Sequence, residues 1–211
     1  MSYLIGLAGS VAAGKSTLAA QLAERERAAG KTVEVVSTDG FLLPNAELER
    51  RGLLGRKGFP ESYDAAAFTA FLDALRSGEP ATVPIYSHQT YDILPGQQRE
   101  LLRPELVIVE GINALQPIFT DGKLDHKIYL HAEEADLFRW YRERLVRLRN
   151  DARTDSASYF TRFLELSEAS WEERIRTIWE TVNLPNLREH ILPTKPLADE
   201  ILVKGPDHRL R

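Results

Sequence analysis

The 211-residue sequence contains no cysteine. That excludes disulfides, thiol nucleophiles and cysteine-ligated metal, and it fits a cytoplasmic protein. No apolar run approaches the roughly 20 residues of a membrane span, so no membrane partner is expected. The first apolar run starts at Tyr3, so no signal peptide is expected. An excess of positive charge is missing as well. Lys and Arg number 27 against 31 Asp and Glu, a net charge of −4. The chain therefore lacks the basic footprint of a nucleic-acid binder. Repeats and low-complexity segments are absent. What remains, 43% hydrophobic and 27% charged, is ordinary globular composition. The length suffices for one α/β domain with its own core.

One motif stands out against this background. Gly9-Ser10-Val11-Ala12-Ala13-Gly14-Lys15-Ser16 fits G-x-x-x-x-G-K-[ST] at every fixed position, and Thr17 continues it. The apolar run Tyr3 to Ala8 reads as a buried strand, and Thr17 to Ala23 as a helix opening. Strand, glycine loop and helix form the context of a phosphate-binding P-loop. Its backbone N–H groups wrap a phosphate, Lys15 reaches the β- and γ-phosphates, and Ser16 holds Mg²⁺. An ATP-type ligand is expected, although a Gly- and Ala-rich stretch before a helix can also be a plain tight turn.

The rest of the chain alternates strands and helices. Lys31–Ser37 reads as a strand reached through a helix stop at Gly30, with Asp39 just past its end. Residues 40–63, rich in Gly, Pro and Arg, read as an excursion over the sheet rather than a core element. Asp64 looks like the cap of a helix to about Arg76, stopped by Gly78 and Pro80. Thr82–Leu94 suggests a small hairpin at a sheet edge. Leu106–Glu110 is the clearest buried strand, Lys127–Leu130 another, and Glu200–Val203 the last. Glu133–Arg149 is helical, with Leu137, Tyr141, Leu145 and Leu148 on one face. Trp171, Ile175, Ile178, Trp179 and Val182 form a second stripe, closed by Asn183-Leu184-Pro185. This alternation predicts a mostly parallel, doubly wound sheet in a three-layer α/β/α arrangement. Ligands of such sheets bind beyond the carboxyl ends of the strands, where the P-loop, Asp39 and Glu110 are expected to converge.

Phosphoryl transfer needs a phosphate cradle with Mg²⁺, a group that deprotonates the acceptor, and cations for the moving charge. Asp39 is the candidate base, placed after a strand adjacent to the P-loop strand; alternatively it caps an Asp-Gly turn. Glu110 ends an apolar strand, where a carboxylate needs a partner. Mg²⁺ or Lys15 supplies one, or a structural salt bridge does. Most of Arg139, Arg142, Arg144, Arg147 and Arg149 read as a solvated helix face, with Arg144 and Arg147 the candidates to close over the triphosphate. Tyr86, His88 and Tyr91 on the hairpin suit a polar small molecule, or a structural role for the histidine. Tyr159 and Phe163 are equally core candidates, whereas Arg162 is placed to pair with an acceptor carboxylate. Asn183 and Asn186 flank Pro185 in a short connection, as caps or substrate contacts.

Several segments carry a resemblance: Gly9–Thr17, Ser37–Leu42, Arg56-Lys57-Gly58-Phe59-Pro60-Glu61-Ser62-Tyr63-Asp64, Tyr86-Ser87-His88 with Tyr91-Asp92, Val109-Glu110-Gly111, and Asn183–Leu187 with Ile191–Thr194. In colinear order over almost the whole chain, they resemble bacterial type I pantothenate kinases of the P-loop kinase superfamily. The P-loop is common to many kinases; Arg56–Asp64 and Tyr86–His88 are far more specific. The resemblance implies ATP-dependent phosphorylation of the primary hydroxyl of pantothenate, the first step of coenzyme A synthesis. It implies Lys15 on the phosphates, Ser16 on Mg²⁺ and Asp39 activating the hydroxyl. Tyr86, His88, Tyr159, Arg162 and Asn186 match positions that hold pantothenate. It further implies a homodimer and inhibition by coenzyme A at the ATP site.

The sequence departs from that family in two places: no helical stretch precedes the P-loop strand, and Leu166 stands where an aromatic is frequent. Regulation, quaternary arrangement and the acceptor wall are where these differences would act. One kinase domain over 1–211 is expected, with acceptor-binding segments at about 40–63 and 81–100 and a lid-like helical region at about 133–165. The same-fold rival is a uridine, cytidine or sugar kinase. The rival of another class is a nucleotide-binding switch or sensor, which needs no acceptor pocket.

Overall fold

The computed structural model describes all 211 residues. Its central sheet contains five parallel strands: β1 (Tyr3–Gly9), β2 (Val33–Ser37), β5 (Leu106–Glu110), β6 (His126–His131) and β7 (Glu200–Val203), in the spatial order β2-β5-β1-β6-β7. β3 (Ala81–Ser87) and β4 (Asp92–Leu101) pair antiparallel in a sheet of their own. The order corrects one expectation. β2 is not adjacent to β1; β5 lies between them. Because all strands run the same way, the convergence survives: Ser37 and Leu7 both register with Glu110. The hairpin, likewise, is a separate ribbon rather than an edge of the main sheet.

The helices are α1 (Lys15–Ala28), α2 (Asn45–Arg50), α3 (Ala65–Ser77), α4 (Pro117–Thr120), α5 (Glu134–Asp151) and α6 (Glu168–Ile178). α3 begins where its sequence says it should. Asp64 Oδ1 accepts from the backbone N–H of Ala67 at 2.9 Å, and Gly78 ends the helix with φ +73°. β5 shows why the molecule has three layers. Its side chains alternate, so Leu106 and Ile108 join one apolar cluster and Val107 and Val109 the other. The first cluster covers α1, α5 and α6; the second is filled by Phe68, Phe71, Leu72 and Leu75 of α3. Each fully buried Leu or Phe contributes about 1.5–3 kcal/mol relative to exposure. No helix is long and apolar enough to cross a membrane.

Two further expectations change. The 40–63 excursion is more than a cover: Phe41, Leu42 and Tyr63 belong to the second cluster, and Leu48 and Phe59 are buried. Asn183-Leu184-Pro185 does not close the helical run that starts at α6. The chain widens into π-type turns at Trp179–Asn183 and Leu187–Ile191, on either side of Pro185. Proline has no N–H to give to the ordinary ladder, and the wider turns accommodate that loss. Asn183 and Asn186 therefore sit inside helix, not in a connection.

Candidate active site

The P-loop is built by backbone. Gly14 takes φ +96° at the head of α1, a left-handed conformation that favours glycine. Gly9 takes φ +151°, and a Cβ there would run into the Leu130 carbonyl oxygen of β6. Lys15 is 9% exposed, and its Nζ donates to the Ser10 carbonyl at 2.9 Å. Burial holds its pKa below the ordinary 10.5, against the opposing pull of Glu110 and Asp39. Two carboxylates therefore face this ammonium, as the strand ends suggested. Ser16 Oγ donates to Glu110 Oε1 at 2.9 Å.

These two side chains fit Mg²⁺. A hydroxyl and a carboxylate, both hard oxygen donors, meet beside a phosphate cradle. No group of three or more His, Cys, Asp or Glu could hold a metal unaided.

Asp39 lies in a single 3₁₀ turn, Thr38–Phe41, directly after β2; Ser37 Oγ accepts from its backbone N–H at 3.3 Å. The Asp39 carboxylate lines a cleft of about 270 Å³ with Ser37, Pro84, Tyr86, His88 and Arg99. The hairpin is thus folded over the end of β2. Its aromatic residues continue as a chain: Tyr86 meets His88 at 5.2 Å, His88 meets Tyr91 at 6.5 Å, and Tyr91 stacks on Tyr159 at 4.9 Å. The Arg162 guanidinium covers Tyr159 at 4.2 Å. Tyr159 N donates to the Gln89 carbonyl at 2.7 Å, tying the segment after α5 to the hairpin turn. Burial, with Asp39 nearby, pushes the Tyr86 hydroxyl well above its ordinary pKa, so it is a neutral donor.

The arginines of α5 divide. Arg139 pairs with Asp136, and Arg142 with Glu172. Arg149 is buried, donates to the carbonyls of Phe163, Leu164 and Leu166 and pairs with Glu168, so it is a structural clamp. Arg144 is half-buried and close enough to oppose the charge on Lys15. Arg147 is exposed, and nothing links it to the P-loop.

Three residues at the site were not anticipated. Lys57 Nζ donates to Asn45 Oδ1 and the Tyr91 carbonyl, both at 2.6 Å, and lies 5.1 Å from the Tyr86 ring centre. Lys204, just past β7, donates to the Ala13 carbonyl of the P-loop at 2.9 Å and lies over the Trp140 ring. Asn113 and Asn186 both donate to the Gly58 carbonyl, at 2.9 and 3.0 Å. Lys204 had one available signal, its position at the carboxyl end of a parallel strand.

Comparison with known proteins accords with this geometry. Residues 4–154 match the Phosphoribulokinase / Uridine kinase family. A pantothenate kinase of Bradyrhizobium sp. (strain ORS 278) is 46% identical over 223 aligned positions, covering 100% of this chain and 70% of the relative. One from Clavibacter sepedonicus is 47% identical over 215 positions, covering 98% and 67%. The chain thus spans about two thirds of the length of these relatives. Among solved structures, a Silicibacter sp. TM1040 protein provisionally named a fructose transport system kinase superposes with a TM-score of 0.77 at 29% identity, over 95% of this chain and 89% of that one. The chain belongs to the phosphoribulokinase/uridine kinase family and, within it, to the pantothenate kinases.

Proposed function

We propose that the protein transfers the γ-phosphoryl group of ATP to the primary hydroxyl of pantothenate, giving 4′-phosphopantothenate and ADP. The observation that carries this reading is the similarity to pantothenate kinases along essentially the whole chain, acceptor segments included. The hairpin lines the cleft that opens on Asp39, Lys57 lies beside its Tyr86 ring, and Tyr159 stacks on its Tyr91.

The P-loop amides and Lys15 hold the β- and γ-phosphates, with Arg144 adding positive charge from α5. Ser16 and Glu110 would hold Mg²⁺, directly or through water, and the ion neutralises phosphate charge when bound. Asp39 accepts the proton of the acceptor hydroxyl as that oxygen forms its bond to the γ-phosphorus. The bond from phosphorus to the β,γ-bridging oxygen breaks, and ADP carries away the electron pair. Arg162 neutralises the acceptor carboxylate. Tyr86, His88, Tyr159 and Asn186 supply the remaining polar contacts. Segments 40–63 and 81–100 form the acceptor lobe of a single kinase domain, and 133–165 the side that covers the triphosphate. The cytoplasm, a homodimer and inhibition by coenzyme A belong to the same proposal.

A coupled ADP-release assay with pantothenate, uridine, cytidine and several sugars tests it. Pantothenate is expected to raise ADP release well above the ATP-only rate. Turnover of a nucleoside with none of pantothenate would sink the reading.

A further inference from the structure

Tyr91 carries a backbone conformation that its side chain does not favour. It is the last residue of the turn between β3 and β4, just before the Ser87–Asp92 pair closes the hairpin. Its φ is +57°. Left-handed backbone crowds a Cβ and is met mainly at Gly, Asn and Asp, so a bulky aromatic there needs an external hold. Strain of this kind persists only where the surroundings over-determine it, and it gathers at functional sites.

The hold comes from Asn45, the first residue of α2, 46 positions away in sequence. Asn45 Nδ2 donates to the Tyr91 carbonyl at 3.1 Å, and the Asn45 backbone N–H donates to Asp92 Oδ1 at 2.9 Å. Asn45 Oδ1 accepts from Lys57 Nζ at 2.6 Å, and the same ammonium donates to the Tyr91 carbonyl. Both ends of the carboxamide are therefore committed, which fixes the way it faces. Two consecutive hairpin residues are gripped by one residue of the excursion.

The half-buried Tyr91 ring shows what the grip achieves. It stacks on Tyr159 at 4.9 Å and meets Phe160 edge-on at 5.4 Å and His88 at 6.5 Å. Burial holds its hydroxyl above the ordinary pKa, with Arg144 opposing the shift and Asp39 adding to it. The hydroxyl thus lies in the field of both Arg144 and Asp39. Relaxation of Tyr91 to negative φ would swing its Cα–Cβ bond and take the ring off Tyr159.

We infer that Asn45 is a positioning residue for the acceptor side of the site. Through the Tyr91 carbonyl it keeps Tyr91 left-handed, and the ring is thereby set against Tyr159 and beside His88. Asn45 acts through Tyr91 and has no contact of its own with the acceptor. The inference rests on the acceptor site proposed above.

Asn45→Ala tests it, because the substitution deletes the carboxamide and keeps the backbone N–H that binds Asp92. Loss of a hydrogen bond that sets the ring predicts a KM for pantothenate raised about tenfold, with the KM for ATP unchanged. Tyr91→Ala should raise the pantothenate KM as well. The double variant should be no worse than Tyr91→Ala alone, because without the ring Asn45 has nothing to position. A residue that merely supports the fold would instead move both KM values and give additive penalties. An unchanged pantothenate KM in Asn45→Ala, a parallel rise of both KM values, or additivity in the cycle overturns the inference. Should Asn45→Ala fail to fold, Asn45→Asp is isosteric, keeps the oxygen that Lys57 binds, lacks the donor to Tyr91, and is read through the same cycle. If the wild-type protein turns over another acceptor and not pantothenate, the functional reading fails, and the cycle on that acceptor still decides the role of Asn45.

Discussion

The nucleotide half and the acceptor half of this site are built in different ways. The first is main chain: nine consecutive residues, Gly9 to Thr17, bend around a phosphate between β1 and α1. The second is side chain, drawn from the end of β2, the excursion, the hairpin, the segment after α5 and the helical run after α6. Asn113 and Asn186 reach Gly58 across 55 and 128 positions of sequence. A phosphate is common to many substrates and is met by backbone N–H groups that any sequence carries. An acceptor is particular, and it is met by side chains that only tertiary contacts bring together. The two halves share one element, the charged group of Lys15, Asp39 and Glu110 at the strand ends.

If that shared group joins two otherwise separable halves, variants should sort by half. Asp39→Asn should have the largest effect. Turnover is expected to fall by about 10²–10⁴-fold, while calorimetric titration finds ATP affinity retained. Retained turnover would remove Asp39 from the chemistry. Tyr159→Ala, which breaks the stack on Tyr91 and frees Arg162, should raise the acceptor KM by about tenfold, the scale of one aromatic contact. Its KM for ATP should not move; a parallel rise in both would show that the halves are not separable.

The smallest effect concerns pH. Burial lowers the Lys15 pKa, so the charged form is the disfavoured one in the folded protein. Below the lowered value that penalty is fully present. It is relieved as pH rises from the lowered value toward 10.5, so this group makes stability rise over that window. ATP needs the ammonium, so affinity should begin to fall at a pH below that of a free lysine. Binding in that window should take up a proton, which calorimetry in buffers of different ionisation enthalpy detects. No proton uptake would mean that Lys15 is not the group that titrates against phosphate.

The same division explains what was legible in the sequence. The P-loop, the Asp64 cap, the β5 strand and the general α/β order are local signals, and each is where the pattern put it. Strand order is not local. Nothing in Lys31–Ser37 says that β5 rather than β1 will lie beside it, because parallel pairing is decided across the core. Asn183-Leu184-Pro185 reads as a stop because proline usually ends a helix, whereas here π-type turns absorb it. Glu110 is legible because it closes an apolar strand, and Asp39 because it stands just past the end of another. Lys57, Asn113 and Lys204 were not, because their significance lies in partners that are remote in the chain.

The central claim is that the two halves form one transfer site for pantothenate. Phosphorus NMR of the wild-type protein with Mg²⁺, ATP and pantothenate tests it most directly. The account predicts a phosphate monoester signal, split by the two protons of a primary CH₂, that grows in step with ADP. ADP accompanied only by inorganic phosphate would contradict it.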